Sequence, residues 1–278
     1  MTITGAALVA GVIGWPIRHS RSPRLHGFWL NRYGIDGAYV PLAVPPARLV
    51  EAVRSLPALG LRGVNVTVPH KEAVLAALDQ IDSGAARLGA VNTVVVGVDG
   101  LLEGFNTDGF GFMANLVAAE PDWRADAAPA VVIGAGGAAR AVVAALADAG
   151  CPEIRLTNRT IERAERLAAD LGGSVRVVSW DRRHALLDQA GLVVNTTTQG
   201  MTGQSALDLE LDRLDPVAVV TDLVYTPLLT PLLAAARARG NRVVDGLGML
   251  LHQARPGFAA WFGIEPEVDA GLRAAVLG

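Results

Sequence analysis

An alternation of two patterns constrains this chain more than any other feature of its sequence. Short apolar, β-branched runs recur over nearly the whole length, separated by amphipathic stretches of about ten residues. Residues 8–13, 38–42, 63–68 and 91–98 read as strands, and residues 23–33, 46–55 and 72–78 as helices. The pattern resumes with strands at 130–133, 153–158, 192–195, 218–222 and 242–244, and helices at 138–149, 161–171 and 228–239. Strands that are apolar on both faces need helices on both sides. The expected class is therefore α/β with parallel sheets.

Composition removes several alternatives. Hydrophobic residues make up 51% of the 278-residue chain and charged ones 18%, which demands a large core and excludes a mainly disordered chain. A net charge of −3 gives no bulk attraction to nucleic acid or an anionic membrane, and 5% aromatics is thin for stacking bases along a groove. The most apolar opening stretch, residues 5–17, is too short to span a bilayer and contains glycines and a proline. No basic residue precedes Arg18, so the opening lacks a secretory pattern, and the expected location is the cytoplasm. The one cysteine, Cys151, follows a glycine at an expected helix end and reads as a small buried residue. The five histidines have no metal-ligand spacing, so no metal is expected.

Two domains with a cleft between them are expected. Asp99-Gly100 between apolar flanks marks a hairpin, and its second strand, running to Asp108, closes a first unit. The expected division is a first domain of residues 1–107, to which residues 245–278 return as C-terminal helices, and a second of residues 108–244.

The second domain opens on a strand, a glycine turn and a helix. Residues 130–141 carry G-x-G-x-x-A: Gly134 for the tight turn, Gly136 for close approach of a pyrophosphate, and Ala139 where the helix packs on the strand. Backbone N–H groups of Ala135, Gly137 and Ala138 at the helix start would hold phosphate oxygens, assisted by the helix dipole. A site selective for NAD wants an acidic residue at the end of the next strand, to bind the ribose 2′-hydroxyl. Here the strand ends Thr157-Asn158-Arg159-Thr160, with Arg163 one turn later. A planar cation in place of a carboxylate suits a 2′-phosphate, so NADP(H) is the expected cofactor of this Rossmann-type domain.

In the first domain, polar residues cluster at the ends of strands, where open α/β sheets bind ligands. Ser20 and Ser22 follow the first strand, with Ser22 placed as a helix N-cap ahead of Pro23. Asn65 and Thr67 alternate with Val66 and Val68, and Lys71 follows. Asn92-Thr93 and Asn106-Thr107-Asp108 complete the set. A lysine and a carboxylate meeting at a cleft can manage the proton that accompanies hydride transfer to a carbonyl. Spacing alone favours a simple salt bridge, the usual role of a Lys–Asp pair from distant segments.

Taken together, these segments resemble the shikimate dehydrogenase family. The match runs through residues 20–23, 65–71, 90–93, 106–108, 134–141, 158–160, 222–227 and 245–254 in the family's order, and covers about residues 11–261. The resemblance implies NADPH-dependent reduction of 3-dehydroshikimate to shikimate, in aromatic amino acid biosynthesis. It implies Lys71 and Asp108 as the catalytic pair, and Ser20, Ser22 and Tyr225 as holders of the substrate carboxylate. By the same likeness Thr67, Asn92 and Gln253 bind ring hydroxyls. Residues 134–139 hold the pyrophosphate, Asn158, Arg159, Thr160 and Arg163 the adenosine end, and Gly248 and Met249 lie near the nicotinamide. His26-Gly27 stands where His-Asn is usual, and residues 195–201 depart from the usual Asn-Ala/Thr-Thr/Ser-x-x-Gly-Met. NAD-preferring quinate/shikimate dehydrogenases of the family tend to carry an acidic residue after the second Rossmann strand and often Thr for the second serine. This chain has Arg159 and Ser22. The expected partner is a small-molecule substrate, with no nucleic acid or membrane, and the expected state is a monomer or homodimer.

Overall fold

The structure is a computed structural model and describes residues 3–278. The chain divides into two compact units, one comprising residues through Thr107 together with Leu251–Gly278, the other Asp108–Leu250. Residues 245–250, expected with the first unit, pack with the second, and the division falls inside a helix rather than before it.

The first unit is built on β1 (Leu8–Gly14), α1 (Ser22–Arg32), β2 (Gly37–Ala43), α2 (Leu49–Arg54), β3 (Leu61–Val66), β4 (Gln80–Ile81), α3 (Ser83–Leu88), β5 (Thr93–Val96) and β6 (Leu102–Phe105). Its six-stranded sheet has the order β2-β1-β3-β5-β6-β4. β1 pairs in parallel with β2 and β3, while β5 runs antiparallel to both β3 and β6. The antiparallel step is the expected hairpin, closed by the Gly97 N–H donating to the Leu101 carbonyl. This topology puts the C-terminal ends of β1, β3 and β6 and the N-terminal end of β5 at one end of the sheet. The polar segments at residues 20–22, 67–71, 92–93 and 106–107 all leave the sheet there.

Local chemistry differs from expectation at two of these segments. β3 ends at Val66, so Thr67 and Val68 do not continue the strand alternation, and Val68 is exposed. A cis Val68–Pro69 bond follows. Ser22 is not the N-cap of α1: Arg21 occupies that position with helical backbone angles, and the Ser22 N–H donates to the Ser20 hydroxyl (3.3 Å). The stretch read as one helix at 46–55 is a 3-10 turn followed by α2, and the one at 72–78 is 3-10 only.

The second unit is α4 (Asp108–Ala119), β7 (Ala130–Ile133), α5 (Gly137–Asp148), β8 (Ile154–Thr157), α6 (Ile161–Leu171), β9 (Val175–Val177), β10 (Leu192–Asn195), β11 (Val219–Asp222), α7 (Pro231–Ala238), β12 (Arg242–Val244) and the first turn of α8 (Leu247–Phe262). Its sheet is wholly parallel, in the order β12-β11-β10-β7-β8-β9. That is a doubly wound sheet whose strand order reverses between β7 and β10. Helices cover both faces. One core layer gathers Phe112, Leu116, Val142, Leu146 and Leu167, and the opposite layer Leu186, Leu187, Leu214, Leu232 and Leu233. Cys151 is buried, and burial pushes its thiol up from its ordinary pKa.

α9 (Ala270–Leu277) and the rest of α8 return to the first unit. α8 brings Phe258 against Trp29 and Tyr33, and Trp261 against Tyr39, an aromatic core around the fully buried His26. Each such ring pair contributes about 0.5–1.5 kcal/mol beyond its area. The His26 ring stacks on Tyr39 with centroids 3.9 Å apart, and neither ring nitrogen finds a hydrogen-bond partner of normal geometry. Burial drives the His26 pKa down from 6.5 to about 3, opposed only by the nearby Asn65 amide. His26 is a neutral core residue. Among the described residues no helix is long and apolar enough to cross a membrane.

Candidate active site and dinucleotide groove

In the first unit the candidate site is a network of short polar side chains. Asn65, at the end of β3, is buried. Its amide oxygen accepts from the Tyr39 hydroxyl (2.6 Å) and its amide nitrogen donates to the Asn92 carbonyl and the Thr93 hydroxyl (3.2 Å each). Thr93 in turn donates to the Asn92 amide oxygen (2.9 Å). That oxygen also accepts the Thr107 N–H (3.0 Å), and the Asn92 amide nitrogen reaches the Gln253 side-chain oxygen (3.3 Å). The Thr107 hydroxyl donates to the Gln253 carbonyl (2.8 Å). Residues from five separate segments are thus held in one arrangement before any ligand arrives. Each bond is worth about 1 kcal/mol net, and leaving one of these buried groups unpaired costs more.

The Lys71 segment is fixed by backbone bonds. The Thr67 N–H donates to the Ile13 carbonyl, the His70 N–H to the Thr67 carbonyl, and the Val91 N–H to the Lys71 carbonyl (2.8 Å). The His70 ring nitrogen Nε2 lies 2.8 Å from the Val44 carbonyl, which pins the turn to the chain leaving β2. Lys71 itself is half-buried. Ser20 is half-buried and Ser22 buried beside Tyr39, whose hydroxyl is pushed well above its ordinary pKa by burial and held down by Ser22. Six of the expected residues therefore fall in two groups, Ser20 with Ser22, and Asn92 with Gln253 beside the Thr67–Lys71 turn.

In the second unit the strand-order reversal carries a groove of about 210 Å³. It is lined by Gly134, Ala135 and Gly136 after β7, Asn158 and Arg159 after β8, Trp180 after β9, and residues 196–199 after β10. Two glycines explain its shape. Gly134 has φ +108°, and a Cβ there would lie 2.5 Å from the Thr196 hydroxyl, so the strand exit can approach the β10 loop only without a side chain. At Gly136, by contrast, a Cβ would meet nothing within 4 Å: the space in front of the helix start is open. An unfilled cradle at a helix N-terminus, with exposed Arg159 beside it, fits the pyrophosphate and phosphate of a dinucleotide. Thr160 and Arg163 are exposed at the start of α6, and Ala138 sits in the first turn of α5; none of the three is on the groove wall.

The β10 loop is held by a residue that sequence reasoning did not single out. Asp222, fully buried at the end of β11, accepts from the Asn195 amide (3.0 Å), the Val224 N–H (3.0 Å) and the Thr230 hydroxyl (2.7 Å). Asn195 then accepts from Thr197 through both its N–H and its hydroxyl, and donates to the Gln199 carbonyl. Burial pushes the Asp222 carboxyl above its ordinary pKa, and the three donors oppose that shift. Tyr225 follows one residue after the anchored Val224, half-buried. Asp108, the first residue of α4, is buried. Gly248 and Met249 lie in the first turn of α8, where a Cβ on Gly248 would collide with the Asn115 amide. Among the described residues no cluster of His, Cys, Asp and Glu could hold a metal ion.

Comparison with known proteins agrees on one family along the chain. Residues 12–94 match the shikimate dehydrogenase substrate binding domain, 117–204 shikimate / quinate 5-dehydrogenase, and 246–276 the shikimate 5′-dehydrogenase C-terminal domain. Shikimate dehydrogenase (NADP(+)) of Paramagnetospirillum magneticum is 63% identical over 275 residues, which are 99% of this chain and 100% of that one. Shikimate 5-dehydrogenase from Thermus thermophilus in complex with NADP(H) and shikimate superposes with a TM-score of 0.84 at 41% identity, covering 97% of this chain and 98% of that one. Quinate dehydrogenase from Corynebacterium glutamicum in complex with NAD superposes with a TM-score of 0.89 at 32% identity, covering 98% and 99%. The chain belongs to the shikimate dehydrogenase family.

Proposed function

We propose that this protein catalyses the reversible, NADPH-dependent reduction of 3-dehydroshikimate to shikimate, the step in aromatic amino acid biosynthesis that its relatives' name describes. The observation that carries the cofactor choice is the end of β8. Arg159 and Asn158 line the groove beside the glycine turn, with no carboxylate at the position that would bind a free 2′-hydroxyl. A guanidinium there forms charge-assisted bonds to a 2′-phosphate.

When bound in the groove, NADPH would supply the hydride for reduction of the ring carbonyl. The turn of residues 134–138 holds its pyrophosphate through backbone N–H groups, and Asn158, Arg159, Thr160 and Arg163 hold its adenosine end. Gly248 and Met249 would border the nicotinamide. In the first unit Ser20 and Ser22, with Tyr225 of the second, donate hydroxyl bonds to the substrate carboxylate. Thr67, Asn92 and Gln253 bind the ring hydroxyls and so fix which carbon is presented for reduction. Lys71 gives its proton to the carbonyl oxygen as negative charge develops there, and recovers one from the product hydroxyl in the reverse direction. Asp108 orients the reacting hydroxyl and the Lys71 ammonium. A cytoplasmic location and a monomeric or homodimeric state belong to the same proposal, and are checked by cell fractionation and by light scattering on the purified protein.

Loss of NADPH absorbance on addition of 3-dehydroshikimate tests the reading. Turnover that needs both compounds is expected. A protein that binds NADPH yet oxidises none of it in the presence of this substrate would contradict it.

A further inference from the structure

The groove contains one side chain that neither the glycine motif nor the family resemblance accounts for. Trp180 follows β9, the edge strand paired in parallel to β8. Parallel neighbours end on the same side of a sheet, so the exit of β9 lies next to the exit of β8, where Asn158 and Arg159 stand. Trp180 lines the groove with those two residues, at the end away from the strand-order reversal. Its ring carries a cation on one face. The Arg183 guanidinium lies over the indole, 4.9 Å from its centroid, and does not itself line the groove. Arg183 is in turn fixed by bonds to the Asp208 carbonyl (2.7 Å) and carboxylate and to the Trp180 carbonyl (3.2 Å). The ring has one face occupied, is half-buried, and is held in place by a cation tied to a neighbouring loop.

We infer that Trp180 is the platform for the adenine ring of the dinucleotide. The inference rests on the NADP(H) reading above and assigns the base end of that site. An adenine has two apolar π-faces and needs a flat, desolvated partner. The other groove residues are glycines, an alanine, threonines, a glutamine, an asparagine and an arginine, and the indole is the only aromatic ring among them. Arg159 meets the 2′-phosphate on the ribose attached to that base, so an aromatic ring at the next strand exit stands where the base must go. Stacking on the free face completes a layered arrangement of guanidinium, indole and adenine, with each layer fixed by the one before it.

Binding of fragments separates this role from a general one. Calorimetry on the full chain with NADP+, 2′,5′-ADP and nicotinamide mononucleotide compares wild type with Trp180→Ala, Trp180→Leu and Trp180→Phe. Removing the platform should weaken NADP+ and 2′,5′-ADP by about ten- to a hundredfold and by the same factor, and leave nicotinamide mononucleotide unchanged. Trp180→Phe should keep most of the affinity. Trp180→Leu, which keeps apolar volume without a π-face, should lose it as Trp180→Ala does, and it carries the test if the alanine variant fails to fold. Affinity for 2′,5′-ADP within about twofold of wild type in the leucine variant overturns the inference. So does an equal loss for nicotinamide mononucleotide. Wild-type protein that binds neither NADP+ nor 2′,5′-ADP would instead bring down the functional reading itself, and this assignment with it.

Discussion

The candidate sites of the two units are built in opposite ways. In the first, the polar groups are side chains locked to one another: Tyr39, Asn65, Thr93, Asn92, Thr107 and Gln253 satisfy each other in a buried network. In the second, the cradle is backbone, a glycine turn facing open space, and the nearby cations Arg159 and Arg163 are exposed. A small ring acid offers few groups, each of which must be met at a fixed point, so rigidity in the partner is useful. A long phosphorylated cofactor offers charge, which an exposed guanidinium can meet. The first unit should therefore tolerate little change without loss of stability, and the second should lose affinity without losing its fold.

The largest effect should come from Lys71→Ala. Turnover is expected to fall by about two to four orders of magnitude, the worth of a positioned general acid, while NADPH still binds as in wild type. Loss of cofactor binding in that variant, measured by NADPH fluorescence, would break the division of labour between the units.

Acid titration probes the first unit's core. Because the His26 pKa is about 3 in the folded chain and 6.5 otherwise, only the unfolded chain takes up a proton between those values. Stability from this residue is complete above pH 6.5 and is lost as pH falls from 6.5 toward 3, by up to about 4 kcal/mol. Denaturant unfolding across that window should show the fall in wild type and a flatter profile in His26→Phe. An equal slope in both would mean that His26 takes up its proton in the folded state.

Asn65→Ala is expected to cost about 1–3 kcal/mol of stability and to raise KM for shikimate, because the Tyr39 hydroxyl and the Thr93 side chain lose a buried partner. Arg159→Ala makes the contrast. It should raise KM for NADPH about ten- to a hundredfold, lower turnover far less, and leave the melting temperature unchanged. A destabilised Arg159→Ala protein with normal NADPH affinity would invert the comparison. The smallest effect is expected at Gly27 inside α1, where a Cβ would meet nothing within 4 Å. Gly27→Ala should add about 0.5–1 kcal/mol of stability, read from the shift in unfolding midpoint.

Much of this was legible in the sequence because periodicity and turn chemistry are local. The strands at 130–133, 192–195 and 242–244 and the helix at 161–171 end where the pattern ends. The glycine turn sits where its motif placed it. Short elements were not legible. β4 has two residues, β9 has three, and the 3-10 segment Trp180–Leu187 has no α-helical period to detect. Missing β9 also hid Trp180, whose place at a strand exit is evident only once that strand is counted. Ser22 as an N-cap followed the residue preference, but Arg21 holds that position and the Ser20 hydroxyl takes the Ser22 N–H instead. The Asn65 and Asp222 networks join residues far apart in the chain, and no local rule pairs Tyr39 with Asn65 or Asn195 with Asp222. What the resemblance contributed was the order of motifs, which names roles for Lys71 and Asp108 that spacing leaves open.

The most direct test of the account is a set of four initial rates on the purified protein, shikimate and quinate each oxidised with NADP+ and with NAD+. Shikimate with NADP+ should give the highest kcat/KM, with a loss on changing either the acid or the cofactor. Quinate with NAD+ outperforming that pair would contradict the account at both units at once.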